Sequence, residues 1–312
     1  MSQLKKHRLT LTVIMIFLAA AAIITVAYKV KEIISSPLFD SGIKQNDAIA
    51  NMTEADNKSF NALLIGTDAG GENTDALMIV HVDKEDKKIC MLSIPRDTRV
   101  TVNGKKCKIN SCYRKGGLEL LFEKITDLTD IDINYYALIE PGTLADIVDC
   151  LGGVEYEVER DMKYTDPAQD LYINLKKGLQ TLDGDKAEQY CRFRSYVMGD
   201  ITRTQCQQKF FKALFEQKLN IKYATKINDI YSIISDKVKT NVSLKDIINN
   251  MSVLQLITSG DQIECYDAPG TYNDMEKEGV SYYLIEDEYV TELQELCAKH
   301  FDGNYVSYDT EQ

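Results

Sequence analysis

Five of the chain's eight arginines (Arg96, Arg99, Arg192, Arg194 and Arg203) sit in two short stretches, and none follows Arg203. A guanidinium is a planar fork of donors that matches phosphate oxygens two at a time, so clustered arginine points to an anionic ligand. The first stretch is Ser93-Ile94-Pro95-Arg96-Asp97-Thr98. Pro95 cannot donate to a β-ladder, so a strand through Lys88–Ile94 ends there. Arg96 and Asp97 are then presented at the sheet edge, where ligands of open α/β sheets bind. Asp97 can orient the Arg96 fork or hold a metal; an Arg–Asp pair that merely caps the sheet is an equal alternative. The second stretch is Arg192-Phe193-Arg194, followed by Gly199-Asp200 and Ile201 to Gln207. Arg192 and Arg194 converge if the helix before them has ended, because residues two apart share a side only in extended chain. Arg203 and Gln207, four apart, share one face of the next helix, with Cys206 beside them. Three arginines within twelve residues and an amide make a compact pyrophosphate cradle; scattered surface salt bridges are the bland alternative. A third constellation is Gly66-Thr67-Asp68 with Thr74-Asp75. Two carboxylates around a Gly-rich turn suit a Mg²⁺ ion that keeps its waters and takes substrate phosphate as further ligands. Taken alone, the same aspartates read as turn formers.

These residues need a scaffold that brings strand ends to helix starts. Asn61–Ile65, Ala76–Val82 and Lys88–Ile94 are apolar β-type runs, and Asn103-Gly104 between Arg99–Val102 and Lys105–Ile109 signals a two-residue hairpin. Gly117 opens a helix with Leu118, Leu121, Phe122 and Ile125 at helical spacing. Tyr135–Ile139 reads as a strand, Thr143–Cys150 as a helix and Val154–Val158 as a strand, and from Leu182 the pattern turns mainly helical. Ser243 and Asp246 form a capping box, and Glu286–His300 is a last amphipathic helix. Alternating strands and helices predict a three-layer α/β/α domain with a mixed central sheet.

The chain has 312 residues, 44% of them hydrophobic and 27% charged, which excludes wholesale disorder. Its net charge is −12, and residues 1–32 carry Lys5, Lys6, Arg8, Lys29 and Lys31 against Glu32, so the remainder is more acidic still. Such a body repels nucleic acid, and anions must be bound by a local cluster. Eight cysteines without a CxxC pair and only three histidines argue against a zinc site and for buried free thiols, with Cys107–Cys112 the best disulfide exception. Leu9 to Tyr28 is a run of twenty residues without a charge, long enough at about 1.5 Å per residue to cross the hydrocarbon core. The lysines and Arg8 before it keep the N-terminus in the cytoplasm. The expected organisation is a cytoplasmic tail (1–8), a transmembrane helix (9–28), a polar linker (29–59), an extracytoplasmic domain (60–270) and a C-terminal helical extension (271–312). The protein is thus expected in the cell membrane, crossing once.

Over roughly residues 60–220 the chain resembles the LytR-CpsA-Psr (LCP) family of membrane-anchored cell-envelope phosphotransferases. The resemblance rests on LLIGTDAGG…TDALMIV, KKICMLSIPRDTRV, KINSCYRKGG, INYYALI, IVDCLGGVEYEV, GLQTLDGDKAEQYCRFR and GDITRTQCQQK, in family order. It implies attachment of a phospho-glycopolymer, wall teichoic acid or a capsule-like glycan, from a polyprenyl-pyrophosphate carrier to peptidoglycan, with Mg²⁺. By the same resemblance Arg96, Arg192, Arg194, Arg203 and Gln207 hold the pyrophosphate, and Asp68 and Asp75 the metal. Asp75, Arg96, Asp97 and Asp200 are the expected catalytic residues. The chain departs from the family at Asn73 and Cys206, where arginine is common. Each departure removes a cationic donor, so a catalytically impaired polyprenyl-pyrophosphate receptor or scaffold stands as the alternative. The lipid tail is expected between the sheet and the helix at Leu118–Leu128.

Overall fold

The computed structural model describes residues 58–68, 71–140, 142–167, 171–193, 200–218, 226–243, 246, 250, 263–273, 279–285 and 288–301. The apolar run of residues 9–28 and linker residues 29–57 lie outside them, as do Arg194 and the side chain of Asp200, while Ser59, the last residue of the expected linker, opens the first strand. No helix among the described residues is long and apolar enough to cross a membrane.

A mixed six-stranded sheet forms the centre. Its strands in chain order are β1 (Ser59–Thr67), β2 (Thr74–Asp83), β3 (Lys88–Ser93), β6 (Tyr135–Ile139), β11 (Val238–Thr240) and β12 (Ile263–Asp267), arranged β11-β6-β1-β2-β3-β12. β1 runs antiparallel to β2 and parallel to β6, and β3 runs antiparallel to β2 and parallel to β12. β2 and β3 are central and covered on both faces, which is why they read as unbroken apolar runs rather than alternating ones. Between β3 and β6 lie a hairpin of β4 (Arg99–Val102) and β5 (Lys105–Lys108), then α1 (Cys112–Thr129). The hairpin turn places Asn103 at φ 51° and Gly104 at φ 74°, the left-handed pair that an Asn-Gly turn supplies. α1 is broken at Gly116-Gly117, so its continuous part begins where the spacing of Leu118, Leu121 and Phe122 starts.

After β6 come α2 (Thr143–Cys150), β7 (Val154–Val158), β8 (Met162–Asp166), β9 (Leu171–Leu175), β10 (Gly178–Leu182), α3 (Gly184–Arg192), α4 (Asp200–Lys218) and α5 (Ile227–Lys237). Beyond β12 the chain adds short strands β13 (Thr271–Tyr272) and β14 (Tyr283–Leu284) and then α6 (Glu288–His300). One sheet face packs Leu63, Ile65, Ile79 and Leu92 against Leu121, Phe122 and Ile125 of α1 and against Leu293 and Cys297 of α6. The other packs Met78, Val80 and Met91 against Phe211 and Phe215 of α4. Helices therefore cover both faces of a mixed sheet. A further core joins β7–β10 to α2, α3 and the opposite side of α4 through Tyr156, Tyr190 and Phe210.

All eight cysteines are free, Cys107 and Cys112 included. Burial pushes the Cys112 thiol up to about 12, with Cys107 beside it adding to the shift.

Candidate functional site

The site is built at the end of the sheet where β1 finishes, β2 begins and β3 stops at Pro95. Thr67 of β1 pairs with Thr74 of β2 across a register shift, which brings Asp68 and Asp75 to the same edge. Asp68 organises the loop between them. Its Oδ1 accepts the backbone N–H groups of Glu72 (3.0 Å) and Asn73 (3.3 Å), and its Oδ2 accepts Asn73 Nδ2 at 2.8 Å.

Asp75 is the hinge of the cationic side. Its Oδ1 takes Arg96 Nη1 at 2.6 Å, with both side chains about a quarter exposed, and its carbonyl takes Arg203 Nη2 at 3.3 Å. Arg203 is only 3% exposed, an unusual depth for a charge, and it reaches the sheet edge from the first turns of α4. Gln207, one helical turn on, donates Nε2 to the Cys191 carbonyl at 3.0 Å, tying α4 to the end of α3.

α3 is set by two local features. Asp183 caps it by accepting Lys186 N–H at 3.0 Å, and Gly184 lies so close to α2 that a Cβ there would fall 2.3 Å from the Ala145 carbonyl oxygen. Asp149 of α2 then accepts the Gly184 N–H at 2.7 Å. With its start fixed, α3 delivers Arg192 at its last turn, where Nη1 donates to Glu188 at 2.9 Å.

These groups wall one cleft with an empty volume of about 1120 Å³, open solvent at its mouth included. Asp68, Asp75, Arg96, Arg192, Arg203 and Gln207 all line it. Leu64, Met78, Leu144 and Phe211 give it a long apolar side. That apolar side lies toward α2 and α4, and among the described residues none of α1 lines it. Asp97 does not line the cleft: Lys108 Nζ holds its Oδ2 at 3.0 Å, and its Oδ1 is 3.9 Å from Arg96 Nε. Cys206 does not line it either, being buried with Tyr190 and Phe210. Arg194 and the Asp200 side chain fall outside the described residues.

Thr67 and Ser93, which belong to two of the motifs, also line the cleft, as do Glu140 and Glu188, which sequence reasoning missed. No motif flags these two glutamates; only the sheet register and the approach of α3 bring them in. Cys191 lines it too, and burial pushes its thiol well above the usual thiol range, which disfavours the thiolate.

The donor set suits a hard divalent cation. Asp68 and Asp75 offer carboxylate oxygens, and the adjacent Thr67 hydroxyl, which lines the cleft, is buried without a hydrogen-bond partner among the described residues, so it could bond a cation's waters. A second cluster, Cys90, Glu264 and His300, lies between β3, β12 and α6. Two of its members are already engaged by neighbours: Lys88 Nζ meets Glu264 at 2.8 Å, and Tyr266 OH bonds both Glu264 and His300.

Among known proteins, the chain is 27% identical over 245 residues to the polyisoprenyl-teichoic acid–peptidoglycan teichoic acid transferase TagU of Enterococcus faecalis, covering 76% of this chain and 78% of that protein. The crystal structure of TagV from B. subtilis superposes with a TM-score of 0.69 at 25% identity, over 81% of this chain and 100% of that one. A structure of TagT bound to LI-WTA gives a TM-score of 0.65 at 26% identity, over 81% and 97% of the two chains. The family model described as the LytR_cpsA_psr family matches residues 30–299. The chain belongs to that family.

Proposed function

We propose that this protein transfers a phospho-glycopolymer, of the wall teichoic acid or capsule-like kind, from a polyprenyl-pyrophosphate carrier to peptidoglycan on the outer side of the membrane. The observation that carries the reading is the junction inside one cleft of a guanidinium cluster, Arg96, Arg192 and Arg203, with an apolar wall of Leu64, Met78, Leu144 and Phe211. A diphosphate joined to a hydrocarbon chain has that same polarity along its length. Relatives named as teichoic acid transferases to peptidoglycan support the acceptor. Residues 9–28 would hold the domain at the bilayer surface where such lipids lie.

In the reaction an acceptor hydroxyl on peptidoglycan attacks the sugar-side phosphorus. A new P–O bond forms, the bridging P–O bond breaks, and polyprenyl monophosphate leaves with the electron pair. The hydroxyl proton would pass to a carboxylate that lines the cleft, Asp75 or Glu188. Arg96, Arg192 and Arg203, joined by Arg194 in sequence, offset the phosphate charge, and Gln207 helps position it. Asp97, locked to Lys108, steadies the Arg96 loop. Asp68 and Asp75 would hold Mg²⁺, which supplies further charge neutralisation at the phosphates when bound. Catalysis of this type is positioning and electrostatics, so no Ser–His or Cys–His pair is needed.

The alternative, a receptor that binds the lipid pyrophosphate without turnover, draws on Asn73, whose amide engages Asp68 where the family commonly has a guanidinium. Incubating the purified protein with labelled lipid-linked glycan and peptidoglycan separates the two. Transfer predicts Mg²⁺-dependent release of lipid monophosphate together with label on peptidoglycan. Binding without release would leave the receptor, and release of free phospho-glycan would mean a hydrolase.

A further inference from the structure

Ser93 is the last residue of β3, is 1% exposed, and its Oγ has no hydrogen-bond partner among the described residues although it lines the cleft. A buried hydroxyl left without a partner is costly, and folded chains seldom keep one unless something else uses it. Its surroundings say what that is. Along the sheet Ser93 lies directly across from Met78, and Met78 across from Leu64, so the hydroxyl stands in the row that forms the apolar wall. Along the chain it is followed by Ile94 and Pro95 and then by Arg96, the guanidinium paired with Asp75. Ser93 thus marks the boundary between the greasy and the cationic halves of the cleft.

Resting on the transferase reading above, we propose that the Ser93 hydroxyl donates a hydrogen bond to the carrier-side phosphate, the group that departs as polyprenyl monophosphate. A ligand lying head to the arginines and tail to Leu64 and Met78 brings that phosphate past the hydroxyl. The bond strengthens as the bridging P–O bond breaks and negative charge collects on the leaving phosphate, so the hydroxyl favours the transition state over the ground state. A neutral donor suits this place, because a second charge in the apolar wall would be strongly desolvated in the ligand-free protein.

This role separates from a structural one by the sign of two measurements on the full chain in detergent. Ser93→Ala removes an unsatisfied polar group, so the ligand-free variant should melt at or above the wild-type temperature. The same variant should bind polyprenyl monophosphate about tenfold more weakly and transfer glycan about 10- to 100-fold more slowly, whereas Ser93→Thr, which keeps the hydroxyl, should stay near wild type in both. A Ser93→Ala protein that melts several degrees lower, or that binds polyprenyl monophosphate with the wild-type Kd, overturns the assignment. Wild-type protein that binds the lipid phosphate but never releases it from lipid-linked glycan overturns the transferase reading alone, and the binding arm still judges Ser93. Wild-type protein that fails to bind polyprenyl phosphates overturns both.

Discussion

Asp75 holds two arginines with two different groups, its carboxylate gripping Arg96 and its carbonyl Arg203. Replacing it by asparagine therefore leaves the Arg203 bond intact, removes the negative charge facing Arg96, and takes the charge from one ligand of the proposed Mg²⁺ site. The sign of the effect should depend on Mg²⁺. Without the metal, Asp75→Asn takes away an anion beside the substrate diphosphate, so the lipid pyrophosphate should bind as tightly as to wild type or more tightly. With Mg²⁺ present the metal contribution is lost, and the transfer rate should fall about 10²–10³-fold, the scale seen when one stabiliser of developing charge is removed. Titrating lipid pyrophosphate by calorimetry with and without Mg²⁺, alongside the transfer assay, checks both halves. Equal weakening in both conditions would mean that Asp75 acts through the Arg96 geometry alone.

At the scale of elements, the final helix is fastened to the edge strand by chemistry that senses pH. His300 at the end of α6 contacts Tyr266 of β12, with ring centroids 4.6 Å apart, and Phe301 packs beneath His81 at 6.0 Å. Burial and the nearby Lys88 charge hold His300 below its ordinary 6.5, with Glu264 pulling the other way. The folded state thus prefers the neutral ring, and the unfolded state binds the extra proton first as pH falls. Stability from this group is complete above about 6.5 and declines as pH drops from there toward the lowered folded value. Glu264 adds to the loss at lower pH. Burial works to raise it, but hydrogen bonds from Lys88 and Tyr266 override this and hold it below 4.5, so it must be protonated against those bonds in acid. Thermal melts between pH 8 and pH 5 should show the wild type losing stability on acidification and His300→Gln losing less. An identical slope for the two would mean the ring titrates alike in both states.

The molecule as a whole sets a repulsive field around an attractive site. A net charge of −12 opposes any anionic lipid at long range, while Arg96, Arg192 and Arg203 attract it only inside the cleft. Raising ionic strength from about 0.01 M to 0.15 M shortens the Debye length from roughly 30 Å to 8 Å. That screens the distant acidic surface far more than the arginine contacts, so association with a soluble short-chain polyprenyl pyrophosphate should speed up over this range while dissociation changes less. Stopped-flow binding at fixed Mg²⁺ checks it, and an on-rate that falls steadily with salt would place the steering field at the cleft rather than over the body.

The sequence by itself determined the local pieces. Apolar runs gave β1, β2, β3 and β6, the Asn103-Gly104 pair gave the hairpin turn, and Pro95 marked where β3 ends, because each of these is decided by neighbours in the chain. β8, β9, β10 and β12 were not legible: they are short, β9 sets an exposed Tyr172 between its buried Leu171 and Ile173 and β10 exposes Leu179, so residue type hides the buried face, and β12 pairs with β3 from far along the chain. The arginine cluster could be suspected from spacing, and Arg96, Arg192 and Arg203 do meet in one cleft. Which carboxylate faces them could not be read, since Asp97 turns to Lys108 while Asp75, twenty-one residues earlier, takes Arg96. That choice, the side of the sheet on which the cleft opens, and the arrival of Ser93 and Glu188 in it follow from strand register and the close approach of α2 to α3. Tertiary structure alone settles these, because a one-residue slip in a ladder reverses every side chain's face without changing any local preference.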